Sequence, residues 1–300
     1  MSIRNMKMAR GLVFYVMLLS VPVIVFGRSL VKADIAEPND PNAASAGPFH
    51  NECAEMLKTH VNELGKVDYA ALRRKRHDLR ALLRQFDTLD PNVYRAWSEK
   101  DKTAFWINVY NLNKLRIVTD HYPIRPSSRI LSIYWGPRSI RHIEKEITRH
   151  KFLVMDEEFT FASVDRRFFR GQFDDPRVFF ALTNACLSSP PLRNEPYTGR
   201  RLDKQLGDQV RTFLSGPLAF SIDRNKRKVH LSALFQMSWY GNEFTEKYAI
   251  DRKFKDHPPA TRAILNFICN YVSPQDASFL EVGSYTVEYM RYDWTINDGS

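Results

Sequence analysis

The most informative stretch of this chain is Ala104-Phe-Trp-Ile-Asn-Val-Tyr-Asn-Leu-Asn113, which lies in a predicted helix over residues 98–120. Asn108 and Asn111 fall one turn apart in it, and the residues around them are so apolar that the helix must be largely buried. Buried amides need hydrogen-bond partners, because a carboxamide carries two N–H donors and an acceptor oxygen. The two amides therefore either clamp the backbone of neighbouring loops or line a polar site, and the sequence leaves both interpretations open.

Patterns on both sides of this helix predict an α+β fold in a single mixed domain, residues 49–300. Apolar residues that recur every three or four positions predict helices at 50–64, 70–87, 162–169, 200–214, 232–248 and 257–272. Alternating and β-branched stretches predict a hairpin in 151–161, a buried strand at 177–183, a hairpin of 218–223 with 227–232, and a last strand at 284–291. We therefore expect a helical N-terminal part followed by a small sheet with helices packed on it.

The N-terminus has the order of features that is typical of an export signal. An uncharged run at residues 11–27 follows three basic residues, which are Arg4, Lys7 and Arg10. We expect residues 1–33 to be a signal peptide, with cleavage favoured after Ala33, or an N-terminal membrane anchor with residues 11–27 as the tether. Residues 34–48 are rich in Pro and Asn and predict a spacer. The protein is thus predicted to be exported: periplasmic, secreted, or membrane-anchored and facing outward.

The charge distribution and the cysteine pattern argue against two classes of function. The net charge is +10, but five of the basic residues lie in residues 1–33, which hold no acid. The densest basic run, Arg73–Arg76, contains no aromatic residue, which argues against nucleic-acid binding. Cys53, Cys186 and Cys269 form no C-x-x-C pair and no Cys/His cluster, so we predict neither a metal site nor a cofactor. Any disulfide pairing among the three stays open.

Three more segments follow the Ala104–Asn113 stretch in order along the chain. They are Phe161-Ala-Ser-Val-Asp-Arg-Arg-Phe-Phe-Arg170, Phe180-Ala-Leu-Thr-Asn-Ala-Cys-Leu-Ser-Ser-Pro-Pro-Leu-Arg193 with Tyr197-Thr198, and Tyr292-Asp-Trp-Thr-Ile-Asn297. Together the four segments resemble the family called domain of unknown function 547. The resemblance spans about residues 67–297, and the family label names no activity.

The chain departs from the family pattern where the family carries reactive residues. Many members have Glu-His where this chain has Asp165-Arg166, a His where it has Phe179, and cysteines where it has Asn184 and Ser189. Cys186 falls between the two family cysteine positions and inherits no role from the resemblance. The retained residues give shape and hydrogen bonds, and they are Trp106, Asn108, Tyr110, Asn111, Arg170, Ser188, Pro190, Pro191 and Arg193.

This retained set predicts a binding module for a small molecule, a glycan or a peptide. The loop at 184–193 and the amide face of the 98–120 helix would form a polar groove. Arg170 and Arg193 would offer planar donors to a carboxylate or phosphate, unless Arg170 pairs with a local acid such as Asp174 or Asp175. The predicted ligand-binding residues are Trp106, Asn108, Asn111, Arg170, Ser188, Ser189 and Arg193.

The alternative function is a thiol- or serine-dependent hydrolase or acyltransferase that acts on envelope material. Cys186 would be the nucleophile and His230 its base, with Asn242 or Asp251 orienting the imidazole. The hydroxyl version would use one of the two serines of the loop, Ser188 or Ser189. The thiol version requires that the thiol and the imidazole lie side by side and that nearby positive charge stabilises the thiolate.

Overall fold

The fold belongs to the α+β class that the sequence predicts. A computed structural model of the chain describes residues 43–126, 128–173, 175–236, 242–249 and 253–300. These residues pack as one compact unit, in which helices come first and two small sheets follow. The predicted export segment, residues 1–33, lies outside the described residues.

The helices of the N-terminal part pack against one buried helix. Their bounds are α1 Ala43–His60, α2 Tyr69–Arg74, α3 Arg76–Asp87, α4 Pro91–Ala96 and α5 Glu99–Asp120. α5 begins after Ser98, whose hydroxyl accepts a hydrogen bond from the Asp101 N–H, and most of its residues are buried, as predicted. α1 begins inside the predicted spacer. The helix predicted over 70–87 is two helices, because the backbone turns at Lys75 with φ −101° and ψ 22°.

The chain beyond α5 alternates short helices with loops. The α-helices are α6 Arg129–Trp135, α7 Glu144–Arg149, α8 Phe161–Val164, α9 Leu202–Leu214, α10 Asn242–Tyr248, α11 Pro259–Ile268 and α12 Pro274–Val282. Turns of 3-10 helix lie at Ile140–Ile143, Pro176–Phe180, Gly199–Arg201 and Ala233–Gln236, and a π-helical turn lies at Asp165–Phe169.

The buried strand predicted at 177–183 is wrong, because this stretch begins with a 3-10 helix. Pro176 occupies the first helical position, where its fixed φ is suited to a helical turn and its missing N–H costs nothing. The Asp175 carboxylate caps the turn by accepting a hydrogen bond of 2.9 Å from the Arg177 N–H. These two local signals override the β propensity of the valine and phenylalanines that follow.

The strands form two separate sheets. Their bounds are β1 Phe152–Val154, β2 Glu157–Phe159, β3 Phe220–Asp223, β4 Lys228–Leu231 and β5 Thr286–Tyr289. β1 and β2 form one antiparallel hairpin, and in the other sheet β4 pairs antiparallel with β3 and parallel with β5. Both predicted hairpins and the last predicted strand are confirmed. Val229 and Leu231 are buried, whereas His230 lies on the opposite face of β4 beside Glu288.

The C-terminal segment joins the helical part of the domain to the loop at 184–193. Ile296 forms a β-bridge with Cys186 of that loop. The side chain of the next residue, Asn297, accepts a hydrogen bond of 2.9 Å from the Tyr69 hydroxyl and donates one of 3.1 Å to the Gly65 carbonyl. The turn at 62–66, the loop and the C-terminus are therefore held together by contacts between residues far apart in the sequence.

Candidate functional site

The two amides of α5 clamp the backbone of the chain between Ala181 and Tyr197. Asn108 donates a hydrogen bond of 2.8 Å to the Tyr197 carbonyl and accepts one of 2.9 Å from the Tyr197 N–H. Asn111 donates to the Ala181 carbonyl at 2.8 Å and accepts from the Thr183 N–H at 3.0 Å. Both ends of each amide are thus occupied by backbone, so the geometry corresponds to the clamp interpretation and not to ligand contact.

Trp106, also predicted to contact ligand, is a core residue. Its side chain is fully buried, and the indole N–H donates a hydrogen bond of 2.9 Å to the Tyr94 hydroxyl. Its ring stacks on Phe168 with centroids 3.7 Å apart. The indole therefore fixes the π-helical turn against α5, and no part of it faces solvent.

The two arginines of the predicted groove are neutralised by nearby acids. Arg170 Nε donates a hydrogen bond of 2.8 Å to Asp165, and its guanidinium lies 5.2 Å from the centre of the Phe179 ring. Arg193 forms an ion pair with Glu195. The described partner of Arg170 is thus a local acid, Asp165. Of the two expected acids, Asp175 binds Arg177 instead, and residue 174 lies outside the described residues.

The serine hydroxyls fix the shape of the loop. Ser188 Oγ accepts a hydrogen bond of 2.8 Å from the Asp293 N–H. Ser189 Oγ accepts one of 2.8 Å from the Asn184 N–H and donates one of 3.0 Å to the Pro190 carbonyl. These are contacts to backbone, as in serine-capped turns. Neither hydroxyl has a contact to histidine within the described part of the chain.

Cys186 and His230 have different partners in the structure. Cys186 is buried, its Sγ lies 3.5 Å from the Tyr292 hydroxyl, and burial raises the pKa of the thiol to about 11. His230 lies on β4, where its Nδ1 is 3.8 Å from a carboxylate oxygen of Glu288. Asp251 and the Asn242 side chain, the predicted orienting groups, lie outside the described residues. The described contacts do not join the thiol to the imidazole.

We expect Cys186 to react slowly with a disulfide reagent at pH 7 in the folded chain. With a pKa near 11 the thiol is almost entirely protonated, and labelling should be about a hundredfold slower than in the urea-unfolded chain. Peptide mapping after timed labelling measures the rate at each of the three cysteines, all of which are free thiols in the structure. Rapid labelling of Cys186 that slows in a His230→Ala variant would contradict the separate placement of the thiol and the imidazole. It would support the thiol-dependent hydrolase or acyltransferase instead.

An open groove of about 490 Å³ lies beside the loop. It is bounded by residues 63–66, 186–191 and 212–219 together with Asn297. Of the predicted site residues, the groove brings together Cys186, Ser188 and Ser189. The others lie elsewhere, and they are Trp106, Asn108, Asn111, Arg170, Arg193 and His230.

Gly65 allows the groove wall at residues 63–66 to lie close to the wall at residues 186–191. Gly65 has φ 71°, and a Cβ on it would lie 2.5 Å from Cβ of Pro191 and 2.8 Å from the Leu192 nitrogen. Only glycine fits both this backbone conformation and this close contact. Sequence reasoning missed residues 63–66 and 212–219 as walls of the groove.

The apolar side chains that project at the groove were also missed. Leu64 and Leu187 are large aliphatic residues that the fold leaves exposed, and both line the groove. The remaining apolar lining includes Pro217, Leu218 and Phe213. The groove is therefore partly apolar, and not the polar groove of amides and arginines that the sequence predicts.

Lys114 is a buried cation on α5 that sequence reasoning also missed. Its ammonium lies 4.2 Å from the centre of the Phe161 ring and 5.3 Å from that of Tyr110. Within the described chain it forms no ion pair with an acid, and burial lowers the pKa of its amine to about 8. A lysine among the buried positions of an apolar helix was the available signal.

The described ranges contain neither a metal-binding cluster nor a membrane-spanning helix. No group of three or more His, Cys, Asp or Glu side chains there is placed to hold a metal ion. Within the same ranges, no helix combines the length and apolar character needed to cross a bilayer. The predicted tether at residues 11–27 lies outside them.

Comparison with known proteins gives a match to one family. Residues 94–214 match the model of a family described as "protein of unknown function, DUF547". The matched part runs from α4 to the end of α9. It therefore includes Asn108 and Asn111, which together form the asparagine clamp, and the loop at 184–193. No curated protein and no solved structure matches the chain.

Proposed function

Given that this chain is a member of the DUF547 family through residues 94–214, we propose that it is an exported, envelope-associated module that binds a ligand in the groove at the 184–193 loop. The ligand classes predicted from the sequence are a small molecule, a glycan and a peptide. The aliphatic lining favours a peptide that carries an apolar side chain. Export rests on the order of charges and apolar residues in residues 1–33.

The size and lining of the groove carry the proposal. A volume of about 490 Å³ is within the range of sites that hold a small ligand or a few side chains. Leu64 and Leu187 project at it, and burying them under a ligand removes apolar surface from water. Among the described lining residues Phe213 is the one aromatic side chain and it is buried, so these residues offer a sugar no exposed ring on which to stack.

The rigidity of the loop also supports binding. The asparagine clamp and the hydroxyls of Ser188 and Ser189 fix the backbone of this wall before any ligand arrives. A preformed site loses less conformational entropy on association, which strengthens binding for a given contact area. The same contacts favour a binding function over the hydrolase alternative, because they occupy the hydroxyls and leave the thiol buried and protonated.

A Leu187→Asp variant is expected to bind at least about tenfold more weakly than the wild-type chain, because it places a charge where an apolar side chain of the ligand would pack. The probe is a pool of fluorescein-labelled hexapeptides with a fixed central leucine, and fluorescence anisotropy with the full chain measures binding. Leu153→Asp is the matched control: Leu153 is 45% exposed against 39% for Leu187, and it lies on β1 outside the groove.

Two results would overturn this function. The first is an absence of saturable binding of the peptide pool by the wild-type chain. The second is equal loss of binding in the Leu187 and Leu153 variants, which would show that the charge acts nonspecifically. A labelled chito-oligosaccharide pool measured in parallel tests the glycan class, and saturable binding of sugar without peptide would contradict the peptide assignment.

A further inference from the structure

α6 presents three large apolar side chains to solvent on one face. Ile130 is 68% exposed, Ile133 83% and Tyr134 79%. Positions separated by three and four residues lie together on a helix surface, so the three side chains form one patch, here called the Ile130 face. A contiguous exposed apolar patch on a folded domain marks a surface that contacts something else.

The helix that carries this face is fixed to the body of the domain. Ser128 caps its first turn by accepting a hydrogen bond of 3.1 Å from the Leu131 N–H, and Gly136, with φ 77°, ends it. The guanidinium of Arg141 lies 5.0 Å from the centre of the Trp135 ring and 5.3 Å from that of Trp294. The opposite side of α6, which carries Trp135, therefore packs on the domain and leaves the Ile130 face exposed to solvent.

The stretch of chain that contains the Ile130 face carries only positive charge. Residues 121–143 contain four arginines and neither Asp nor Glu. Arg138 and Arg141 pair with acids from outside this stretch, Asp298 and Glu144. Arg125 and Arg129 are exposed and have no acidic partner in the part of the chain that the structure describes.

We propose that the Ile130 face, together with Arg125 and Arg129, docks on the surface of a bilayer that contains anionic phospholipid. The isoleucines would enter the boundary between headgroups and acyl chains, and Tyr134 would keep its hydroxyl at headgroup level. The two unpaired guanidinium groups would bind lipid phosphates, for which their planar donors are suited. The charge complementarity selects an anionic surface, and the proposal is independent of the ligand groove and of residues 11–27.

The test reads the position of α6 itself, in the full chain. Ile133→Cys, in a Cys269→Ser background, is labelled with the environment-sensitive fluorophore NBD; the other two cysteines are buried. The matched control is Val282→Cys in the same background, because Val282 is 86% exposed on α12. Vesicles are phosphatidylcholine alone, or phosphatidylcholine mixed with phosphatidylglycerol in equal amounts.

We expect the label at 133 to brighten and shift to shorter wavelength on the mixed vesicles, while the label at 282 stays in water. Arg125→Glu with Arg129→Glu should reduce the vesicle-bound signal at 133 at least about fivefold. The proposal would be overturned if the vesicles retain the chain but the label at 133 stays in water. Binding through residues 11–27 alone would give that result. An equal shift on phosphatidylcholine alone, or a shift that follows protein concentration without lipid, would also overturn the proposal.

Discussion

Asn111→Ala is expected to lower the free energy of unfolding by about 3 to 4 kcal/mol. The substitution removes two hydrogen bonds and leaves the Ala181 carbonyl and the Thr183 N–H without their side-chain partner inside the core. Leaving a buried polar group unsatisfied costs about 1 to 3 kcal/mol for each group. Asn108→Ala should cost a similar amount, since it releases both backbone groups of Tyr197.

The same helix provides a matched control in Asn113. This amide is as buried as the other two, but it donates only to the Val109 carbonyl one turn back, and its oxygen has no hydrogen-bond partner within the described chain. Asn113→Ala should therefore change the free energy of unfolding by less than about 1 kcal/mol. Urea unfolding followed by circular dichroism measures all three variants. Equal losses for Asn111→Ala and Asn113→Ala would mean that the cost arises from the cavity and not from the clamp.

The clamp also links stability to the proposed groove. If Asn111 acts by fixing the loop, its alanine variant should bind the hexapeptide pool more weakly even at temperatures where it is fully folded. The groove wall at 186–191 begins three residues after Thr183, which is one of the backbone groups that Asn111 holds. Unchanged binding by a folded Asn111→Ala variant would show that the clamp contributes to stability and not to binding.

Lys114→Met is expected to raise the free energy of unfolding by about 3 kcal/mol at pH 7. Burial lowers the pKa of this amine from its ordinary 10.5 to about 8, so the folded chain holds the charged form at a cost that the unfolded chain does not bear. Methionine has a similar length and no charge, and it can occupy the space between Tyr110 and Phe161. Lys145→Met is the control, because Lys145 is exposed on α7.

The pH dependence of this difference has a defined direction. Between pH 8 and 10.5 the unfolded lysine binds a proton that the folded one has lost, so the stability of the wild-type chain relative to the variant rises with pH. The advantage of Lys114→Met should be full below about pH 8 and should vanish above about pH 10.5. Comparing the two proteins at each pH cancels the titration of the groups that do not interact with Lys114; the Cys186 thiol is not among them, because the Lys114 charge lowers its pKa. A variant that is less stable at pH 7 would show that the ammonium has a stabilising partner.

The sequence alone was enough to predict the elements whose signals are local. The apolar stretch around Ala104–Asn113 predicts a buried helix, and α5 is that helix. Alternation predicts both hairpins, and the order of helices and strands predicts the α+β class, because the burial pattern of an element follows from the spacing of its own apolar residues. The order of four quoted segments predicted the family, and the match over residues 94–214, which includes the first three of them, supports it. The strand predicted at 177–183 failed because capping by Asp175 outweighs β propensity there.

The partners of the polar residues were decided by the tertiary structure. Asn108 and Asn111 donate to backbone carbonyls that lie 89 and 70 positions away in the sequence. No local sequence pattern shows whether such an amide will bind a distant backbone carbonyl or a ligand. Arg170 pairs with Asp165 because the π-helical turn brings the two side chains together. The groove, its leucines and the buried charge of Lys114 likewise appear only once distant segments pack. Hydrogen bonds and burial of side chains depend on which surfaces meet, and that choice is made by the whole chain at once.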